Sequence, residues 1–228
     1  MIRTLEPELM EDVEQALAYA EADFSESNQR FADRLIENYS EHMQSVLDIG
    51  CGSADIPIRL ARLAPSVQIT AIDGSEAMLN LARKGIAESG NGDRITVTRA
   101  YVPQLPFRDH SFDTIISNSL LHHLPDPSVF WREVIRLGND RAVIFVMDLF
   151  RPDSPEAAAK IVEEAGAGEH PVLKTDFYNS LLAAFAVEEV QQQLVDAGLS
   201  QLQLNVVSDR HWLVSGRLST ALSVASHK

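Results

Sequence analysis

The chain has 228 residues, 45% of them hydrophobic, which is enough for one domain with a sizeable core and a modest appendage. With 33 acidic against 19 basic residues the formal charge is −14, and the cations are scattered, as in Arg59/Arg62 and Arg83/Lys84, so nucleic acid is not an expected partner. The single Cys51 excludes an internal disulfide, the acidic start MIRTLEPELMEDVEQ lacks the apolar segment of a secretory signal, and no apolar run approaches the ~20 residues that span a bilayer. A cytoplasmic protein without membrane contact is expected.

Residues 8–42 read as an amphipathic helical arm. Pro7 and Glu8 suit a first turn, and Leu9, Val13, Leu17 and Ala20 recur at helical spacing. A second helix starts near Ser27, with Phe31, Leu35 and Ile36 on one face. Strands and helices then alternate. VLDIG (46–50) is a short apolar strand, and residues 54–64 form a helix that tolerates Pro57 in its first turns. QITAID (68–73) is a strand, followed by a helix over 75–89 with Ser75 as N-cap. ITVTRA (95–100) and FDTIISNS (112–119) are strands, and a helix over 126–138 ends at Gly138-Asn139, a C-cap signal. AVIFVMDL (142–149) is a buried strand.

Residues 151–185 interrupt the alternation with an alanine-rich helix, a GAGEHP break and a restart at TDFYNSLLAAF. A helix over 187–198 ends at Gly198, and strands 202–209 and 211–218 close the chain around Asp209-Arg210. Five alternating strands imply a parallel sheet covered on both faces, and the last two an antiparallel edge hairpin. The expectation is an α/β, doubly wound, mostly parallel seven-stranded sheet with a helical arm over 1–43, a core over 44–218 and a frayed tail over 219–228.

In such sheets ligands bind at the carboxyl ends of the strands, where strand order reverses. The loop after the first strand, IGCGSAD, carries Gly50 and Gly52, which allow a sharp turn and close approach to a ligand. A dinucleotide fingerprint would place a small third residue where Asp55 stands, and no Gly-Lys-Ser/Thr of a P-loop follows. Asp73, ending the second strand, can accept from two ribose hydroxyls. A nucleoside without phosphates fits this pattern, and S-adenosylmethionine meets that description.

VLDIGCGSADIPIRLA, AIDGSEAML, LPFRDHSFDTIISNSLLHHLPD and AVIFVMDLFRP together resemble class I S-adenosylmethionine-dependent methyltransferases of the small-molecule, type 11 kind, whose fold is Rossmann-like. The resemblance covers roughly 44–218. It implies that Asp48, Gly50, Cys51 and Gly52 pack against the methionine part of the cofactor. Asp48 either orients the ammonium or caps loop amides. It further implies that Asp73 holds the ribose diol and that Gly74 and Met78 flank the adenine. Relatives often carry an acidic residue near Tyr101. On the resemblance, Tyr101 is expected to stack on or hydrogen-bond the adenine, and the Val102 amide to reach a ring nitrogen. Asn118 and Ser119, ending the fourth strand, are expected to face the methyl group. Ala54 stands where the family often has a third glycine.

Methyl transfer from a sulfonium needs orientation and water exclusion, and a base only if the acceptor loses a proton. His122, His123 and Asp148 are the catalytic candidates, each with an alternative as a structural hydrogen-bonding residue. The insertion, with Arg151, His170, Lys174, Tyr178 and Asn179, is where the resemblance puts acceptor specificity. The arm, with Tyr19, Asp23 and Phe24, either closes over the cofactor as a lid or packs on the sheet edge. His211 and Trp212 read as structural. SNSLL is not the Asn-Pro-Pro-Tyr-like motif of nucleobase methylation, and Cys51 alone does not suit a thiol-dependent metalloid enzyme. No metal is expected, because the adjacent His122 and His123 diverge on regular structure. The partner expected is a small-molecule acceptor, with a monomer or homodimer as the assembly. Two other functions remain open: use of S-adenosylmethionine itself as substrate, by cyclisation or cleavage, and a non-catalytic binding subunit.

Overall fold

A computed structural model describes residues 1–6, 16–17, 19 and 22–219. The first expected helix falls mostly on residues outside this set. The second is α1, Ser25–Tyr39, which buries Phe31, Ala32 and Leu35.

Seven strands form one sheet: β1 (Ser45–Ile49), β2 (Gln68–Asp73), β3 (Ile95–Arg99), β4 (Phe112–Asn118), β5 (Gly138–Leu149), β6 (Gln203–Val206) and β7 (His211–Arg217). Their order is β3-β2-β1-β4-β5-β7-β6. The first five are parallel. Antiparallel β7 lies between β5 and β6. Strand order therefore reverses between β1 and β4, and the chain leaves both strands at the same edge of the sheet.

The apolar runs are buried on both faces. Val46, Ile116 and Phe145 pack toward α1, α2 (Asp55–Leu63) and α3 (Glu76–Ser89), together with Phe31, Leu60 and Ile86. Their neighbours Leu47, Ile115 and Ile144 pack on the other face against Trp131 and Val134 of α4 (Ser128–Leu137) and Val190 of α7 (Val187–Asp196). This alternation is the period-two pleat read in space. The insertion supplies α5 (Pro155–Ala165) and α6 (Pro171–Ala183), whose Ala158, Val162 and Leu181 make a small separate core with Leu149.

Two expectations are corrected. Gly138 is not a left-handed C-cap. Its φ of −68° and ψ of 133° are extended, and it opens β5 directly. The absent Cβ leaves room for Leu218, whose Cδ1 would otherwise stand 2.6 Å from it. Likewise α6 begins at Pro171, before TDFYNSLLAAF, because proline suits a first helical position and the His170 ring nitrogen accepts from the Val172 amide at 3.3 Å.

Candidate active site

At the switch point the loop after β1 turns on Gly50 and Gly52, with φ of +80° and +52°. The amides of Gly50 and Cys51 both donate to the Ile72 carbonyl, at 2.8 and 2.9 Å, which ties the loop to the end of β2. A Cβ on Gly52 would meet no protein atom within 4 Å, so its backbone faces open space. That space is a cavity lined by Gly50, Gly52, Asp73, Met78, Tyr101 and Asn118, among others.

Asp73 joins the two glycine-side turns. Its Oδ2 accepts from the Gly52 amide at 2.9 Å and its Oδ1 from the Ser75 amide at 2.8 Å. Ser75 in turn caps α3 by accepting from the Met78 amide at 3.2 Å. Beneath the loop, Asp48 is 2% exposed, and its Oδ2 has no hydrogen-bond partner. Burial, and then the negative charge of Asp73, pushes its carboxyl up to about 8. Asn118, at the end of β4, likewise presents a buried Oδ1 without a partner. An orphaned acidic group and an orphaned carbonyl at one switch point fit a ligand that brings hydrogen-bond donors and positive charge.

Gly74, Val102, Ser119 and Tyr19 also line the cavity. Tyr19 comes from the arm, and burial followed by the charges of Asp73 and Asp148 raises its phenol to about 12. Tyr101 is 46% exposed at the rim, with the Arg99 guanidinium 5.5 Å from its ring centroid. Cys51 does not line the cavity. It packs toward α1 and α2, and burial drives its thiol well above the ordinary range. Asp55 turns to Asn28 and Arg59, with contacts of 2.9 and 2.8 Å, and so braces α1 against α2.

On the other side of Asn118 the chain makes a 3-10 turn, Leu121–His123. Asp148, 0% exposed at the end of β5, accepts from the His122 amide at 3.0 Å, the His122 Nδ1 at 2.5 Å and the Leu149 amide at 2.7 Å. Burial would raise this carboxyl, but the His122 charge and these bonds hold it below the ordinary value. Burial likewise opposes charge on His122, yet Asp148 and then Glu6 bring the imidazole up to about 9. His122 and Asp148 thus form a buried ion pair, whereas His123 lines the cavity.

Glu6 escapes sequence reasoning altogether. Its Oε1 lies 3.3 Å from His122 Nε2, 3.1 Å from His123 Nδ1 and 3.0 Å from the Ser180 hydroxyl, which donates to it. Contacts spanning most of the chain leave no local sequence signal. The insertion residues are less committed to the cavity. Arg151 pairs with Glu189 at 2.9 Å and donates to the Ala184 carbonyl at 3.0 Å.

A family model described as a methyltransferase domain matches residues 40–195. The chain belongs to this family. The methyltransferase domain is 32% identical over 124 residues to a demethylmenaquinone methyltransferase of Porphyromonas gingivalis, covering 54% of this chain and 50% of that one. It is 31% identical over 171 residues to the 27-O-demethylrifamycin SV methyltransferase of Amycolatopsis mediterranei, covering 73% and 62%. The chain therefore spans between half and two thirds of the length of these relatives. Among solved structures, a SAM dependent methyltransferase from Aquifex aeolicus superposes with a TM-score of 0.65 at 18% identity over 89% of this chain and 97% of the other, which shows the shared fold. Among the described residues no helix is long and apolar enough to cross a membrane.

Proposed function

We propose that the protein transfers a methyl group from S-adenosylmethionine to a small-molecule acceptor in the cytoplasm. The observation that carries this reading is the pairing of Asp73 on the switch-point cavity with the buried, partly unpartnered Asp48 beneath it. When bound, the cofactor supplies an electrophilic methyl on a sulfonium, with a neutral thioether as leaving group.

The chain's own groups fit that molecule. Asp73 offers two carboxylate oxygens to the ribose diol while its loop bonds hold it in place. Gly50 and Gly52 let the backbone approach the methionine tail, and Asp48 neutralises its ammonium. Met78, Gly74, Tyr101 and the Val102 backbone surround the adenine, and Asn118 and Ser119 stand toward the methyl. Tyr19 covers the cavity from the arm and helps to exclude water. The His122–Asp148 pair, with His123 on the cavity wall, handles the proton of an acceptor that must lose one. Cys51 contributes its backbone alone.

Calorimetric titration with S-adenosylmethionine and S-adenosylhomocysteine, with NADH as control, tests the reading. Saturable binding of the first two and none of NADH is expected. Binding of NADH, or of none of the three, overturns it. Release of methylthioadenosine without an added acceptor would show instead that the cofactor is the substrate.

A further inference from the structure

Residues 1–6 lie as a strap over the acceptor side. The Arg3 guanidinium donates to three backbone carbonyls, Ala183 at 2.5 Å, His122 at 2.7 Å and Leu124 at 2.9 Å, and stacks 3.8 Å from the Phe185 ring centroid. The Thr4 amide donates to the Leu182 carbonyl at 3.0 Å. The apolar residues of the strap contribute little, since Ile2 is 92% and Leu5 55% exposed. A segment held by polar contacts with little apolar burial belongs to the low end of local stability.

What this strap carries into the protein is Glu6. Its carboxylate, of which only 9% is exposed, sits on the outward nitrogen of the buried His122, while Asp148 holds the inward one. Among the described residues, the groups facing the His122 ring are Asp148 from β5, Glu6 from the strap, Ser180 from α6 through Glu6, and the His123 ring, tilted by 36° with its centroid 4.1 Å away. In this arrangement Nδ1 donates to one carboxylate and Nε2 to the other. The imidazole is then already a cation and has no lone pair to offer.

We infer that the place of Glu6 on His122 Nε2 is the proton-accepting subsite for the methyl acceptor, that the acceptor is a neutral hydroxyl compound, and that the strap withdraws as it binds. This rests on the methyltransferase reading above. With Glu6 gone the His122 midpoint falls, and above that lowered midpoint the Nε2 proton is released to solvent while the Asp148 carboxylate keeps the other proton on Nδ1, so that Nε2 presents a lone pair. The acceptor hydroxyl donates to Nε2 and accepts from Ser180, which an ammonium group, a donor only, does not reproduce. As the acceptor oxygen forms its bond to the methyl, the sulfonium–methyl bond would break to leave a neutral thioether, and the O–H bond breaks. The proton passes to Nε2, where Asp148 balances the new charge.

Nuclear magnetic resonance of the histidine side chains tests this on the full chain, saturated with S-adenosylhomocysteine where that ligand binds. In Glu6→Gln the titration midpoint of His122 is expected to fall from about 9 by about one pH unit. In Glu6→Ala, phenol as a hydroxyl probe is expected to shift the His122 resonances saturably at concentrations that leave the wild type unmoved. Arg3→Ala, which frees the strap without touching Glu6, is expected to move both readouts in the same direction. An unmoved midpoint in Glu6→Gln, or phenol acting equally on wild type and Glu6→Ala or on neither, overturns the inference. Failure of S-adenosylhomocysteine to bind the wild type would strike the cofactor reading alone, since the histidine titrations do not require it.

Discussion

The two sides of the cavity are built differently. On the cofactor side the key groups sit at the end of a strand or in the first few residues after it: Asp48 near the end of β1 with Gly50 and Gly52 just beyond, Asp73 at the end of β2, Asn118 at the end of β4. On the acceptor side the decisive contacts join distant parts of the chain, such as Arg3 to His122 across 119 positions and Ser180 to Glu6 across 174. The first side is fixed by sheet topology and local turns. The second exists only once the strap and the insertion have docked. The difference implies a rigid holder for the cofactor beside an acceptor wall that rearranges at modest cost.

The sharpest way to break this comparison is at its hinge, the His122–Asp148 pair. Asp148→Ala leaves a buried imidazole with its inward nitrogen unmatched, and a loss of about 3–5 kcal/mol of unfolding free energy is expected by chemical denaturation. The loss has a pH signature. His122 is raised, so its contribution is complete below the ordinary imidazole value of about 6.5 and disappears as pH climbs through about 9. Asp148 is lowered, so its contribution is present above the ordinary carboxylate range and disappears as pH falls through its folded value. The gap between wild type and variant should be widest between about pH 5 and 6.5 and narrow above pH 9. A gap that stays constant across that range would mean that the pair acts by packing alone.

On the cofactor side, Asp73→Ala removes the acceptor of two loop amides and, on the proposed function, of the ribose diol. S-adenosylhomocysteine affinity is expected to fall by roughly 30-fold or more, corresponding to about 2 kcal/mol. Asp73→Asn, which keeps one carbonyl acceptor, should lose less. Unchanged affinity in Asp73→Ala would confine that carboxylate to bracing Gly52 and Ser75.

Asp48 gives a smaller effect that separates an ammonium ligand from a neutral one. Its carboxyl is raised to about 8, so near neutral pH the free protein holds it protonated. A cationic ligand draws it into its ionised form. Affinity should therefore rise with pH below about 8, by at most about tenfold per pH unit, with release of a proton that calorimetry in buffers of different ionisation enthalpy detects. Asp48→Asn should abolish the proton release. Proton uptake on binding would contradict the assignment.

The same contrast explains what was legible in the sequence. Strand runs, the Ser75 cap, both glycines of the loop and Asp73 are local facts, and each stands in space where its neighbours in the chain put it. The pair His122–Asp148 was visible as two residues of suitable chemistry but not as a contact, because only the parallel pairing of β4 with β5 brings their loops together. Gly138-Asn139 misled because a glycine after a helix usually marks a left-handed cap, whereas here Leu218 occupies the space of a Cβ. Glu6 was illegible. An acidic residue in an acidic opening segment looks like solvated surface until the fold lays it across two histidines.

Ala54 offers the finest probe of the rigid side. It is the N-cap of α2, with φ of 65°, and has 0% exposure. A left-handed backbone costs an alanine roughly 1–2 kcal/mol, which glycine avoids. Against that, glycine adds about 0.4–1 kcal/mol of unfolded-chain entropy and surrenders the packing of one buried methyl. The opposing terms nearly cancel, so Ala54→Gly should change unfolding free energy by less than about 1 kcal/mol in either direction. Its effect on ligand binding is the informative one. If the loop owes its shape to the amide bonds with Ile72 and Asp73, freeing φ at Ala54 leaves S-adenosylhomocysteine affinity within about twofold, equivalent to a few tenths of a kcal/mol. A larger loss would show that Ala54 itself stiffens the loop and does what a third glycine cannot.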